Sequence, residues 1–214
     1  MRRVGPVAAV LAAALAGCTA PPPERVPGDP APVTVAPSGG TAPAPAPTRQ
    51  PGSPTPAGVP QPPTGYEEFQ LTGQGVTVRL TVPSGWSRMK IPERPGAVGM
   101  DFEDPGRQLL RVEITAREDD WTARQGFEAY EPALRRTVAD YRRLDLVDVP
   151  GVGESAVDLS FTFTRDGGRR QVVDRMLVQG PAAVAVYYRT MQRDFARLVP
   201  IWQQAVARLI IEPG

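Results

Sequence analysis

Val76, Val78, Leu80 and Val82 alternate with Thr77, Arg79 and Thr81, the period of two that marks a strand with one buried face. The same alternation returns in Leu110, Val112 and Ile114 against Arg111, Glu113 and Thr115. It is cleanest in Val157, Leu159, Phe161 and Phe163 against Asp158, Ser160, Thr162 and Thr164. Shorter apolar stretches predict further strands at Tyr66 to Leu71, at Met100 with Phe102, at Val147 with Val149, at Gln171 to Gln179 and at Ala183 to Met191. Breaker residues divide them: Pro83-Ser84-Gly85, a loop holding Pro92 and Pro95-Gly96, then Asp104-Pro105-Gly106, Pro150-Gly151 and Gly180-Pro181. Asp166-Gly167-Gly168 offers the positive-φ positions that a tight hairpin needs.

Two stretches carry a different period. Phe127, Tyr130, Leu134, Val138 and Tyr141 recur at spacings of three and four, which predicts a helix from Ala123 to about Arg143. Asp119, Asp120 or Thr122 can cap its start. Pro132 removes one backbone donor and predicts a kink, or a new segment beginning near Glu131. Phe195, Leu198, Val199, Trp202, Val206 and Leu209 predict a terminal helix with Asp194 as its cap. Pro200 bends that helix or opens its second half, and Ile210-Ile211 is a candidate closing strand. The predicted order is β-β-β-β-α-β-β-β-α. Runs of hairpin-linked strands followed by helices define an α+β fold, one twisted antiparallel sheet with two helices packed on it.

The Val-Pro-Ser-Gly-Trp turn at Val82–Trp86, the long meander and the terminal helix ending in Leu-Ile-Ile-Glu-Pro resemble the PsbP/Mog1-like fold. More narrowly, the chain is similar to the LpqN-type lipoproteins of high-GC Gram-positive bacteria. That resemblance implies a non-enzymatic binding or adaptor module.

The N-terminus has its own pattern. Arg2 and Arg3 precede an uncharged apolar run from Val4 to Ala16, the layout of a secretory signal peptide. A membrane-spanning helix takes about 20 apolar residues, and this run is shorter and holds Gly5 and Pro6. Leu15, Ala16, Gly17 and Cys18 resemble the bacterial lipobox. The resemblance implies signal-peptidase recognition through Leu15, Ala16 and Gly17, cleavage before Cys18, and lipid attachment at the Cys18 thiol. Two acyl chains hold a protein stably where one does so only marginally. The implied location is the extracytoplasmic face of the cell membrane. Cys18 is the single cysteine of the chain, so an internal disulfide is excluded.

Composition divides the rest. Residues 19–65 contain 16 of the 26 prolines and no aromatic residue. Such a segment cannot bury enough apolar surface to offset its chain entropy, which predicts a disordered tether, partly polyproline II. Fully extended, its 47 residues would span about 150 Å. The expected organisation is a signal peptide at 1–17, lipidated Cys18 with its tether at 18–65, and the folded domain at 66–214.

From Tyr66 onward there are 20 basic and 21 acidic residues. That near-neutral balance argues against nucleic acid, which asks for a basic footprint. The chain contains no histidine. Nucleophilic sites built on histidine are therefore excluded, and transition metals lose their commonest ligand. No metal and no cofactor is expected. Ser87-Arg88-Met89-Lys90 matches the acyl-enzyme pattern S-x-x-K. That chemistry places the serine at a helix start, and the flanking prolines Pro83 and Pro92 point to a loop. Gly153-Glu154-Ser155-Ala156 lacks the second glycine of a nucleophile elbow. Glu118-Asp119-Asp120 is explained by helix capping and the helix dipole as well as by a cation. Trp86 and Trp121 are the candidate binding-surface residues, Trp86 because it follows a tight turn, whereas most aromatics read as core.

The expected partners are the membrane, through the acyl chains, and an envelope protein or a cell-wall or lipid ligand. The expected activity is binding without catalysis. A lipid or glycolipid carrier with an apolar cavity is the alternative. Limited proteolysis of the mature protein should leave a resistant core that begins near Tyr66. A protected fragment starting before Pro51 would contradict the tether.

Overall fold

The computed structural model describes residues 61–92, 94–117 and 120–214. Cys18, Leu15, Ala16, Gly17 and the Pro-rich segment lie outside the described residues. Among the described residues, ten strands and three α-helices follow one another as β1 (Tyr66–Gly73), β2 (Val76–Pro83), β3 (Ser87–Lys90), β4 (Ala97–Glu103), β5 (Leu109–Ala116), α1 (Ala123–Thr137), β6 (Ala139–Asp148), β7 (Ser155–Arg165), β8 (Gly168–Gln179), β9 (Ala182–Met191), α2 (Phe195–Leu198), α3 (Pro200–Ala207) and β10 (Ile210–Pro213), with one 3-10 turn at Gln192–Asp194 before α2. They form two antiparallel sheets, not one. The smaller has the order β1-β2-β10, the larger β3-β4-β5-β9-β8-β7-β6.

Both faces of the large sheet are covered. On one face Phe102, Leu110, Val112, Ile114, Val184, Val186 and Tyr188 meet Val76, Val78, Leu80 and Val82 of β2 together with Leu198, Ile201 and Trp202 of α2 and α3. Trp202 is anchored there, its indole N–H donating to the Val186 carbonyl at 2.9 Å and the Arg175 guanidinium lying 5.3 Å from its ring centroid. On the other face Phe127, Tyr130 and Leu134 of α1 meet Val157, Leu159, Phe161 and Phe163 of β7 and Val172 of β8.

From the terminal stripe one would expect the helix to close on the apolar residues Leu159, Phe161 and Phe163; it lies instead on the opposite face of the sheet. Register decides this: Phe161 pairs with Val172, and Val172 with Arg189. These residues share a face, while Val186 and Tyr188 point to the other. The α1 stripe covers β7 instead. Gly126 permits the contact, because a Cβ there would sit 2.9 Å from Met176 Sδ, and a glycine in mid-helix is kept only where such closeness is needed.

The observed elements depart from the prediction in three places, while Pro200 takes one of its two expected roles. β3 was expected to be loop; its four residues are all exposed, so no apolar alternation marks it. The predicted helix to Arg143 ends at Thr137, and Val138 and Tyr141 reach the same core from the start of β6. Asp140 at φ 53 turns the chain out of the helix there. Pro132 lies inside α1, which continues through it; the proline is exposed, where water can take the carbonyl that loses its partner. Pro200 opens a separate helix, at the first-turn position where its missing N–H is harmless. The cap of α1 is Thr122, in a reciprocal capping box with Gln125. The hairpin after Arg165 turns on Asp166 (φ 50) and Gly167 (φ 69).

Trp202→Ala removes a buried aromatic and the bond its indole N–H donates to the Val186 carbonyl. Such a loss typically amounts to about 3–5 kcal/mol, a large part of the roughly 5–15 kcal/mol that holds a domain together. Thermal denaturation should show a deep fall in melting temperature for Trp202→Ala and a smaller one for the half-buried Trp86→Ala. Equal falls would contradict the packing described.

Candidate binding site

The α1-facing side of the large sheet is apolar under the helix and polar beside it. Alternation along each strand puts Asp101 of β4, Arg111 and Glu113 of β5, Tyr187 of β9 and Asp174 of β8 on this one side. In register, Asp101 faces Arg111, Arg111 faces Tyr187, and Tyr187 faces Asp174. All five are buried. The loop before β4 covers part of the band: Ile91 lies against Gly99, and Arg94 pairs with Glu113.

Arg111 clasps Asp101 with two parallel bonds, Nε to Oδ1 at 2.5 Å and Nη2 to Oδ2 at 2.6 Å, the fork geometry that makes such pairs strong. Three atoms of the row remain unmatched by any hydrogen-bond partner: Arg111 Nη1, the Tyr187 hydroxyl and Asp174 Oδ1. Buried polar atoms are nearly always paired, so three in one cross-strand row mark the most unusual chemistry in the domain. Asp174 is 1% exposed. Burial, reinforced by the charges of Glu113 and Asp158 and only partly opposed by Arg111, pushes its carboxyl up to about 8. Burial likewise raises Glu113, against the pull of Arg94 and Arg111, and raises the Tyr130 and Tyr187 phenols. At neutral pH the row therefore presents a protonated carboxyl, a neutral phenol and a guanidinium N–H. That set can donate to and accept from a small polar group, water included.

A second feature is open to solvent. A pocket of about 360 Å³ lies between the start of α1 and the β6–β7 connection, lined by Thr122, Arg124, Asp148, Gly153, Glu154 and Ser155 among others. Its walls are held by the protein's own charges. Arg124 binds Asp148 at 2.8 to 2.9 Å. Glu154 accepts from Gly180 N–H at 2.9 Å and from Arg117 at 2.6 Å, and these two bonds hold its carboxyl below the usual range. The first amides of α1 are also taken. Ser155 Oγ accepts from Ala123 N–H at 2.9 Å, and Thr122 Oγ1 accepts from Gln125 N–H at 3.3 Å. Gly153 (φ 58) passes so close to β8 that a Cβ would stand 2.7 Å from the Val178 carbonyl oxygen.

The residues singled out from sequence fall elsewhere. Trp86 is half-buried and packs against the β2-side core. Trp121 is half-buried immediately before the Thr122 cap, at the border of the open pocket. Ser87 and Lys90 lie on edge strand β3, where residues three apart point to opposite faces, so S-x-x-K cannot assemble. Glu118 and Asp119 are outside the described residues. Among the described residues no group of three His, Cys, Asp or Glu is placed to hold a metal ion, and no helix is long and apolar enough to cross a membrane.

Comparison with solved structures gives the class of fold. Cyanobacterial PsbP (CyanoP) from Synechocystis sp. PCC 6803 is similar, with a TM-score of 0.57 at 13% identity, covering 75% of this chain and 98% of that one. The domain is PsbP-like. LpqN of Mycobacterium tuberculosis, described as involved in cell envelope biogenesis, aligns with a TM-score of 0.47 at 16% identity over 69% of this chain and 92% of that one. No curated protein matches. Residues 76–209 match the model of the serine/threonine kinase C-terminal domain, and the chain belongs to that family.

The proton on Asp174 gives the site a pH signature. The folded chain holds it to about pH 8, whereas the unfolded chain has released it near 3.8. The unfolded state thus binds fewer protons in between, and this group makes stability fall as pH rises from about 4 to about 8. Denaturant unfolding at several pH values should show Asp174→Asn gaining on the native sequence across that window, with no further gain above it. A difference that does not change with pH would disprove the protonated carboxyl.

Proposed function

We propose that this protein is a membrane-tethered extracytoplasmic lipoprotein whose PsbP-like domain is a non-enzymatic binding or adaptor module of the cell envelope. The observation that carries this reading is the packing of the large sheet. Its two faces are filled by the protein's own side chains, with Trp202 fixed by its bond to Val186 on one and Phe127, Phe161 and Phe163 on the other. An acyl carrier needs an apolar cavity of several hundred Å³, and the apolar interior here is occupied by aromatic residues. The concave surface at the head of α1 is open and mixed in character, with Arg124, Asp148 and Glu154 beside Val149, Pro150 and Val152, suited to a partner with both polar and apolar groups.

The family supports an accessory role. Its name places the domain beside a kinase, as an attachment to another activity. In this chain the same domain follows a Pro-rich segment and the lipobox-like Leu15-Ala16-Gly17-Cys18. An acylated Cys18 would fix the domain to the outer leaflet, and the tether would set how far it reaches.

Membrane fractionation tests the anchor. The native chain should stay with membranes after carbonate washing and incorporate labelled fatty acid, while Cys18→Ala should lose the label and remain an unprocessed or soluble precursor. Label retained by Cys18→Ala would refute lipidation at that residue. Native mass spectrometry of the purified full-length protein should show no bound lipid other than the covalent acyl chains; a stoichiometric non-covalent lipid would favour the carrier.

A further inference from the structure

At the hairpin end of the α1-facing side, beyond Phe163 and Val172, several arginines gather on one side of the sheet. Arg170 of β8 faces Phe163 on β7 and Met191 on β9. Arg165 lies one same-face position further along β7, and Arg189 one same-face position back along β9, so both are diagonal neighbours of Arg170 on one side of the sheet. Arg107, at φ 65 in the β4–β5 turn, reaches the same corner, since Leu109 just after it pairs with Arg189. Asp166 lies 3.8 Å from Arg165. Among the described residues, no ion pair is made by Arg107, Arg170 or Arg189.

Arg170 is the unusual member. It is 6% exposed, and its Nε, like that of Arg189, is buried with no hydrogen-bond partner. A guanidinium withdrawn from water is strongly unfavourable unless a negative charge meets it. Here its charged neighbours are chiefly of its own sign. Burial and the charges of Arg189, Arg107 and Arg165 all depress its proton affinity, with Asp166 alone opposing. Such a group is costly to the isolated fold and becomes favourable when an anion arrives.

We propose that Arg107, Arg165, Arg170 and Arg189 form a binding site for a doubly charged tetrahedral oxyanion of the phosphate class. Arg107, Arg170 and Arg189 alone, with no ion pair among the described residues, leave room for two negative charges, and the planar fork of arginine suits two oxygens of such an ion at once. The site lies apart from the open pocket at the head of α1 and goes beyond the adaptor reading, for it assigns a ligand chemistry to a different place on the domain.

The test is calorimetric titration of the full-length protein with inorganic phosphate and with sulfate, in sodium chloride buffers of matched ionic strength. Saturable one-to-one binding is expected, with a phosphate-dependent rise in melting temperature. Arg170→Gln and Arg189→Gln should each weaken phosphate binding by about tenfold or more. Arg79→Gln, on the other sheet and paired with Glu212, should leave it unchanged. In phosphate-free buffer Arg170→Gln should melt no lower than the native chain, because it removes an uncompensated charge. If Arg170→Gln fails to fold, the half-buried Arg189→Gln and the charge-retaining Arg170→Lys carry the test, both with weakened binding. Absence of saturable binding, an equal effect of chloride, or equal phosphate affinity in native and Arg189→Gln chains would overturn the proposal.

Discussion

The central strands of the seven-stranded sheet have no solvent side. β5 and β9 are pressed between the small sheet with its helices and the layer made by α1 and the loop before β4. Along β5 the residues from Leu109 to Ile114 must all suit an interior, so Leu109 and Leu110 are both buried, as are Arg111, Val112, Glu113 and Ile114. The apolar ones pack; the charged ones must find partners inside. Arg111 does so with Asp101, and Glu113 with Arg94. What those pairs leave unsatisfied, at Tyr187 and Asp174, is a consequence of covering both faces of one sheet.

The covering layers differ in kind. The β2 side is closed by a long interdigitated core in which Phe69 stands edge-on to Phe102 with ring centroids 4.9 Å apart. The α1 side is narrower, because one helix of 15 residues spans only part of the sheet. Phe127, Tyr130 and Leu134 seal its middle. Beyond them the surface passes to the carboxyl and phenol row on one flank and to the arginines at the hairpin end. The unusual electrostatics of the domain therefore collects where the helical cover stops. The PsbP-like frame and the chemistry at its margins are separable.

Much of this was legible in the residues. The alternation in Val76–Val82, Leu110–Ile114 and Val157–Phe163 located three strands, and Asp166-Gly167 located a hairpin. The period of three and four located α1 and the terminal helices, and Val-Pro-Ser-Gly-Trp pointed to the fold. The errors have one cause, the pull of tertiary pairing over local pattern. Tyr141 continued a helical stripe but reaches the same aromatic core from a strand, 5.3 Å from Phe161. Ser87–Lys90 has no stripe, yet is drawn into the sheet by β4. The candidate site was missed for a related reason. Arg111, Glu113 and Asp174 alternate with apolar residues and read as a solvated face. Only the presence of a second covering layer, invisible to a period of two, makes them buried.

The closing strand has a consequence for the order in which the molecule can be made. Ile210 to Pro213 lie beside Val76 to Arg79, and the Gly214 N–H reaches the Gly75 carbonyl at 2.8 Å. Strand β10, late in the sequence, thus completes the small sheet begun by nearly the first residues of the domain. Contacts so distant along the chain form late and slowly. During synthesis β2 stands with one edge open, and Trp202 has not arrived to cover Val186. The small sheet therefore stays unfinished until β10 emerges.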